Sequence, residues 1–463
     1  MASPLAYREP LLGLTRPEIT RYTSSIEDDR LIVCEVLEVL EAHLEELVES
    51  KVVPLESAKR ILSEIESLKR NPSKLFTYNV EDVHEAIEVY LGEKLGVEAG
   101  YLALGRSRND HVAAALRLKV SRLLIEEGWE LLKLRRILLV KALEHRETPM
   151  VLYTHTQPAQ ISTLAHYLLY IDELIATYLE LLPSIISVTL RSPLGSGPAA
   201  GVSTPIDRVR IASKLFNGGI VYNSLYATTS RDFALLALAF NASLLASLSR
   251  VVEDLILLST PQIGYFSIPE EHLATSSIMP HKRNPVTLEI TRARIAELLA
   301  SFVAVAGIIK GLTSGYNLDM QEANRHAIEP LVKTIEALRI LGDLLSRLGV
   351  NVENVVRDVK AYPIALSDLA ELIAIRTGRP FREVHREIAG LIKGSKDVGE
   401  VYKVLEEKYG VRLDYRSVIR RPVVGSSNPE DVDRYVEKAY DSLRSLEGAL
   451  ERYSYITGRR CSH

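Results

Sequence analysis

Five stretches of this chain repeat apolar residues at helical spacing over lengths that few folds accommodate. They cover 112–147, 161–190, 232–259, 285–310 and 329–348. Apolar side chains recurring every three to four residues mark an amphipathic helix. The stretch 232–259 is apolar on nearly every side, and such a helix must be buried on every side. Several helices of this kind satisfy one another by packing side by side, so the sequence predicts an all-α central bundle. The bundle is expected to continue across subunits, with a monomer enclosing one large core as the alternative.

The flanking regions are more broken. Shorter helices are expected over 26–49, 55–68 and 81–95, with 15–25 irregular. Pro54, Asn71-Pro72 and Gly96 punctuate them. After residue 351 the helices shorten again between Pro363, Gly378-Arg379-Pro380, Gly394 and Arg421-Pro422. Three units follow: an N-terminal helical domain over 1–105, the long-helix bundle over 106–355, and a small helical domain over 356–463. Gly128 and Pro183 are candidate breaks within the long stretches.

Composition narrows the function classes. Of 463 residues, 47% are hydrophobic and 25% charged, as in ordinary soluble proteins. Lys plus Arg is 56 and Asp plus Glu is 60, a net charge of −4. That balance gives no support for a nucleic-acid or membrane-surface partner. The start, MASPLAYREP, lacks the pattern of a signal peptide, and apolar runs such as 233–240 are too short to span a bilayer. Cys34 and Cys461 are the only cysteines. So distant a pair suggests neither a disulfide framework nor a zinc site, and a reducing cytoplasm is the expectation.

The unusual residues gather in the loops between long helices. Ala274 to Glu289 reads ATSSIMPHKRNPVTLE. It sets two hydroxyls, a run of cations and a helix start together, with Asn284 as expected N-cap and Pro285 at the first helical position. A helix N-terminus beside cations suits an anion or a developing negative charge. Other such loops are GRSRND at 105–110, YTHTQPAQ at 153–160, PLGSGPAAG at 193–201 and SRDF at 230–233, and YNLDMQE at 316–322 is a further motif.

SSIMPHKRNP at 276–285 is similar to the signature of the fumarase/aspartase superfamily. The remaining motifs, with EDVH at 81–84, resemble the argininosuccinate lyase family within it, in that family's order. MPHKRNP also resembles adenylosuccinate lyases, so that motif alone does not choose the substrate. The resemblance implies a three-domain all-α lyase, assembled as a homotetramer whose sites draw on different subunits. It further implies a β-elimination of argininosuccinate to arginine and fumarate, in arginine biosynthesis, with no metal or organic cofactor. Another fumarate-releasing lyase, or a non-catalytic crystallin-like homologue, are the alternatives.

This chemistry needs a base for a proton next to a carboxylate, stabilisation of the aci-carboxylate, and an acid for the departing nitrogen. By resemblance Ser276 is the base, with Ser277 next in line. Lys282 and Asn284 hold the carboxylate and the aci-carboxylate. His155 is the acid, with Glu289 orienting its ring and raising its pKa. Arg108 and Asn109 contact a substrate carboxylate, for which the planar guanidinium is suited. Ser25, His84, Thr154, Tyr316 and Gln321 match further substrate-binding positions. Taken singly, Ser276 would read as a turn hydroxyl and Arg108 as a salt-bridge residue. The chain departs from the family pattern at Thr275, Leu104, His111 and Asn324, where Gly, Thr, Gln and Lys are usual. Arg325 stands beside Asn324, but one residue turns a helical side chain by about 100°.

Overall fold

A computed structural model describes residues 16–395 and 397–457, together with 13 and 461. The expected absence of a signal peptide therefore falls outside the described residues. The N-terminal part holds α1 (Pro17–Thr23), α2 (Val33–Glu49), α3 (Leu55–Arg70) and α4 (Val83–Leu95). Helix α1 corrects the expectation of an irregular 15–25. Pro17 sits in its first turn, where a missing N–H costs nothing, and the Glu18 carboxylate beside it suits the positive end of the helix. The Asp82 carboxylate caps α4 by accepting from the Glu85 N–H at 2.8 Å.

Helix α5 (Arg108–Glu144) is the axis of the molecule. It begins with a capping box: Ser107 Oγ accepts from the Asn109 N–H, and Asp110 accepts from the Ser107 N–H at 3.1 Å. Gly128 does not break it. A Cβ there would lie 2.8 Å from Leu182 and Leu450 side chains, so the glycine admits close neighbours rather than a bend. A hairpin follows, β1 (Pro149–Thr154) with β2 (Gln157–Thr163). Then come α6 (Leu164–Leu179) and α7 (Leu182–Thr189); the chain breaks at Glu180 and Leu181, and Pro183, the candidate break, sits in the first turn of α7.

The other long helices are α8 (Asp232–Leu258), α9 (Val286–Ile309) and α10 (Asp319–Ser346). Helix α9 packs on both α8 and α10, while α10 and α6 pack on α5. Helix α10 starts ten residues earlier than the periodicity predicts and carries Pro330 inside it. Helix α8 is long and apolar enough to cross a bilayer by length and composition, beyond the short runs seen in the sequence, yet it lies within the bundle. Two small two-stranded ladders are the only named sheets among the described residues.

Helices α11 (Leu366–Thr377), α12 (Phe381–Gly394) and α13 (Val398–Tyr409) enclose a small core of their own around Ile373, Val384 and Leu405. Helix α14 (Pro429–Glu451) returns to α5. Buried ion pairs fix these crossings. Arg135 on α5 forms two bonds to Asp172 on α6, at 2.8 and 3.1 Å, and Tyr435 on α14 donates to the same carboxylate at 3.0 Å. Arg122 meets Glu35 and Glu38 on α2 and donates to the Ile456 carbonyl. Removing one partner of such a pair leaves a buried charge, at a cost of about 3–5 kcal/mol.

The cysteines overturn the sequence expectation. Cys34 and Cys461 form a disulfide with Cα atoms 5.7 Å apart, joining α2 to the chain's C-terminal end. Spacing along the chain gave no hint of it, because the two ends meet only through the helices between them. A disulfide in an intracellular protein is unusual except in hyperthermophiles.

Candidate active site

A cavity of about 110 Å³ lies where α5, α4 and the start of α10 converge. It brings together six residues singled out from the sequence: Ser25, His84, Arg108, Asn109, Tyr316 and Gln321. The capping box at Ser107 presents Arg108 and Asn109 in the first turn of α5. Arg108 Nη1 contacts Asp82 at 2.9 Å and Glu81 at 3.1 Å. Burial lowers its pKa to about 10, with Tyr316 opposing the shift. Ser25 Oγ donates to Asp29 at 3.0 Å, and the Val83 N–H donates to the same oxygen at 3.0 Å. Asn109 Nδ2 donates to the Pro198 carbonyl and Gln321 Nε2 to that of Thr23.

The sequence reading passed over the cavity's acids. Asp29, Glu81 and Asp82 line it. Burial pushes Asp82 up to about 8 and Asp29 up to about 6. EDVH contains two of the three, so their positions were in view and their role was not. Asn324 also lines the cavity, its Oδ1 buried without a hydrogen-bond partner. Arg325 turns away to Glu322 at 3.2 Å and Asp28 at 3.8 Å, so it does not restore the family's lysine charge in the cavity. Arg106 does not line the cavity; its buried side chain lies against His84 at 3.5 Å and Glu88 at 3.2 Å. His111 is buried with both ring nitrogens unpartnered, its ring edge-on to His43 at 4.8 Å.

The remaining six residues do not line this cavity. Thr154 ends β1, and His155 and Thr156 form the two-residue turn of the hairpin, at φ 53° and 59°. Both left-handed values match a type I′ turn, whose twist suits a hairpin. This corrects the expectation of a loop at 153–160. The turn holds the His155 ring exposed. The Ser276 loop is closed at its root by Ala274 and Asn284, which exchange backbone bonds at 2.9 and 2.8 Å. Asn284 is therefore not a helix cap; Pro285 takes that place and offers no side-chain cap.

Ser276 Oγ accepts from the Ile278 N–H at 3.3 Å and the Met279 N–H at 3.1 Å. This is the local turn bond expected of an isolated serine, and it also sets two donors on the oxygen that would carry an alkoxide. Lys282 and Glu289 are exposed and Asn284 is half-buried. No hydrogen bond or ion pair joins Glu289 to His155 within the described residues. Among those residues no group of three or more His, Cys, Asp or Glu is disposed to hold a metal ion.

One chain thus supplies a recessed cavity and, apart from it, two loops bearing an exposed histidine and a serine–lysine pair. The lyase family profile matches residues 18–298. A variant of EDDS lyase with bound fumarate has the same fold, at a TM-score of 0.79 and 24% identity over 92% of this chain and 90% of that one. The argininosuccinate lyase of Pyrococcus furiosus is 47% identical over 445 residues, 96% of this chain and 97% of the relative. That of Pyrobaculum aerophilum is 42% identical, over 93% and 97%. The fold and matched profile define a helical lyase. More narrowly, the chain belongs to the argininosuccinate lyase family.

Proposed function

We propose that this lyase eliminates fumarate from argininosuccinate to release arginine, in the cytoplasm, as a step of arginine biosynthesis. The carrying observation is the cavity that joins Arg108 to Asp29, Glu81 and Asp82 around Ser25, Tyr316 and Gln321. A cation for a carboxylate and acids for an ammonium suit the amino-acid end of the substrate. Ser276 is the base, its developing charge met by the Ile278 and Met279 N–H groups and by Lys282. Lys282, Asn284 and Thr154 hold the succinyl carboxylates. His155 donates the proton to the departing guanidino nitrogen, with Glu289 orienting it.

The assembly proposed is a homotetramer. Ile290, Val303 and Leu299 on α9 and Leu236 on α8 leave apolar surface exposed on one chain. A second copy covers such a face and brings the exposed loops of one subunit to the cavity of another. The three-unit division at about residues 105 and 355 belongs to the same reading; the separate small core of α11 to α13 supports its last boundary. The test is a purified-protein assay by ultraviolet absorbance of fumarate. Fumarate from argininosuccinate and none from adenylosuccinate is expected. Fumarate from adenylosuccinate alone would reassign the substrate, and none from either would leave a non-catalytic homologue.

A further inference from the structure

A second hollow, of about 530 Å³, lies between β1, α6, the end of α8 and the turn before α14. Its volume falls in the range of small-molecule sites, about 300–1,000 Å³. None of the residues assigned above to catalysis or substrate binding lines it. Its walls are largely apolar, aliphatic side chains with four tyrosines among them. Tyr153, Tyr167, Tyr170 and Tyr435 face it, and the Tyr167 and Tyr170 rings stand 6.3 Å apart, inclined at 39°.

Its charged lining is mainly acidic. Glu173, Asp254 and Asp431 carry carboxylates, against Arg250 as the one formal cation among its lining residues. Asp254 accepts from the Tyr167 hydroxyl at 3.2 Å, which aims the carboxylate at the aromatic wall. Asp431 is partly satisfied by Arg434 at 3.4 Å. His166 also lines the hollow; its Nδ1 bonds with Ser162 Oγ at 2.9 Å, and burial lowers its pKa, favouring the neutral ring. Aromatic faces backed by carboxylates attract a cation through the ring quadrupole and by ion pairing together.

We propose that this hollow is a binding site for a small organic cation, a guanidinium or primary ammonium on a short aliphatic chain. The chain lies along the tyrosine faces, and the cationic head pairs with Asp254 and Glu173. The site does not depend on the lyase reading. Agmatine is a suitable probe, because it has cationic ends and no carboxylate for Arg108 to hold.

Isothermal titration of the intact protein with agmatine tests it. Saturable binding at one site per chain is expected, weakened at least tenfold by Asp254→Asn and by Glu173→Gln, and unchanged in Glu81→Gln, which removes a carboxylate from the substrate cavity. Glu173 is exposed, so its variant carries the comparison if Asp254→Asn does not fold by circular dichroism. No binding to the wild-type chain, or wild-type affinity in the folded carboxylate variants, overturns the proposal. So does loss of binding in Glu81→Gln alone, which would put the cation against the acids of the substrate cavity. Failure of the lyase reading appears separately, as no fumarate from argininosuccinate, and does not move this titration.

Discussion

Ser276 shows what a single residue discloses. Its type and motif are plain in the sequence, and so is the turn bond that any serine there would make. Both hold: the oxygen accepts two loop N–H groups. Ser276→Ala is expected to lower kcat by roughly a hundred- to ten-thousandfold, the share of a general base, with melting temperature and assembly unchanged. Wild-type turnover would move the role to Ser277. Glu127 is the opposite case, invisible as a motif. It is wholly buried on α5, holds one bond from Asn241 Nδ2 at 3.1 Å, and is pushed from 4.5 up to about 8 by burial. The folded chain therefore binds a proton there that the unfolded chain releases between those values. Stability tied to Glu127 is lost as pH rises from about 4.5 through about 8. Glu127→Gln is expected to match wild type near pH 5 and to exceed it near pH 9, by on the order of a few kcal/mol. Denaturant titrations at the two pH values measure the difference; equal differences at both would show Glu127 to be ionised in the fold.

At the scale of elements, the long helices were legible because 3.6-residue periodicity is a local signal that needs no partner. The hairpin at His155 was not. Gln157-Pro158-Ala159-Gln160 shows no clean alternation, and the ladder is irregular between Leu152 and Tyr153, where Pro158 pairs with Tyr153. Proline is tolerated at such an irregularity because it needs no ladder N–H there. The start of α10 was missed because the apolar periodicity is plain only from Glu329, whereas the helix already begins at Asp319, within the polar YNLDMQE motif. The disulfide is likewise a product of packing: α2 and the last residues meet beside Arg122, which bonds to both. Cys461→Ser is expected to cost about 2–5 kcal/mol, the usual loss for a native disulfide. Thermal melts with and without reductant check it: reductant should lower the wild-type melting temperature and leave the variant's unchanged. Indifference of the wild type would mean that the thiols are unlinked in solution.

At the scale of the whole molecule, the substrate cavity and the chemistry stand apart in one chain. Arg108 lies in a recess between α4, α5 and α10, while His155 and Ser276 sit on loops whose side chains meet solvent. The sequence names both sets of residues. It cannot place them together, because the contact that does so in the proposed assembly runs between copies of the same chain rather than along it. Two measurements follow from the proposed tetramer. Val303→Asp, on the most exposed apolar position of α9, puts a charge on a face that must desolvate on assembly. It is expected to yield smaller species in analytical ultracentrifugation and to lose activity with them; an active monomer would refute shared sites. The sharper measurement mixes two inactive variants, Arg108→Ala and Ser276→Ala, by dissociating and reassembling them together. If a site takes its arginine from one subunit and its serine from another, random assembly gives some sites both native residues, about one in four in an equal mixture. Activity should rise toward that fraction of wild type. If each site were complete within one chain, no mixture would contain an intact site, and the activity would stay at the sum of the two variants alone.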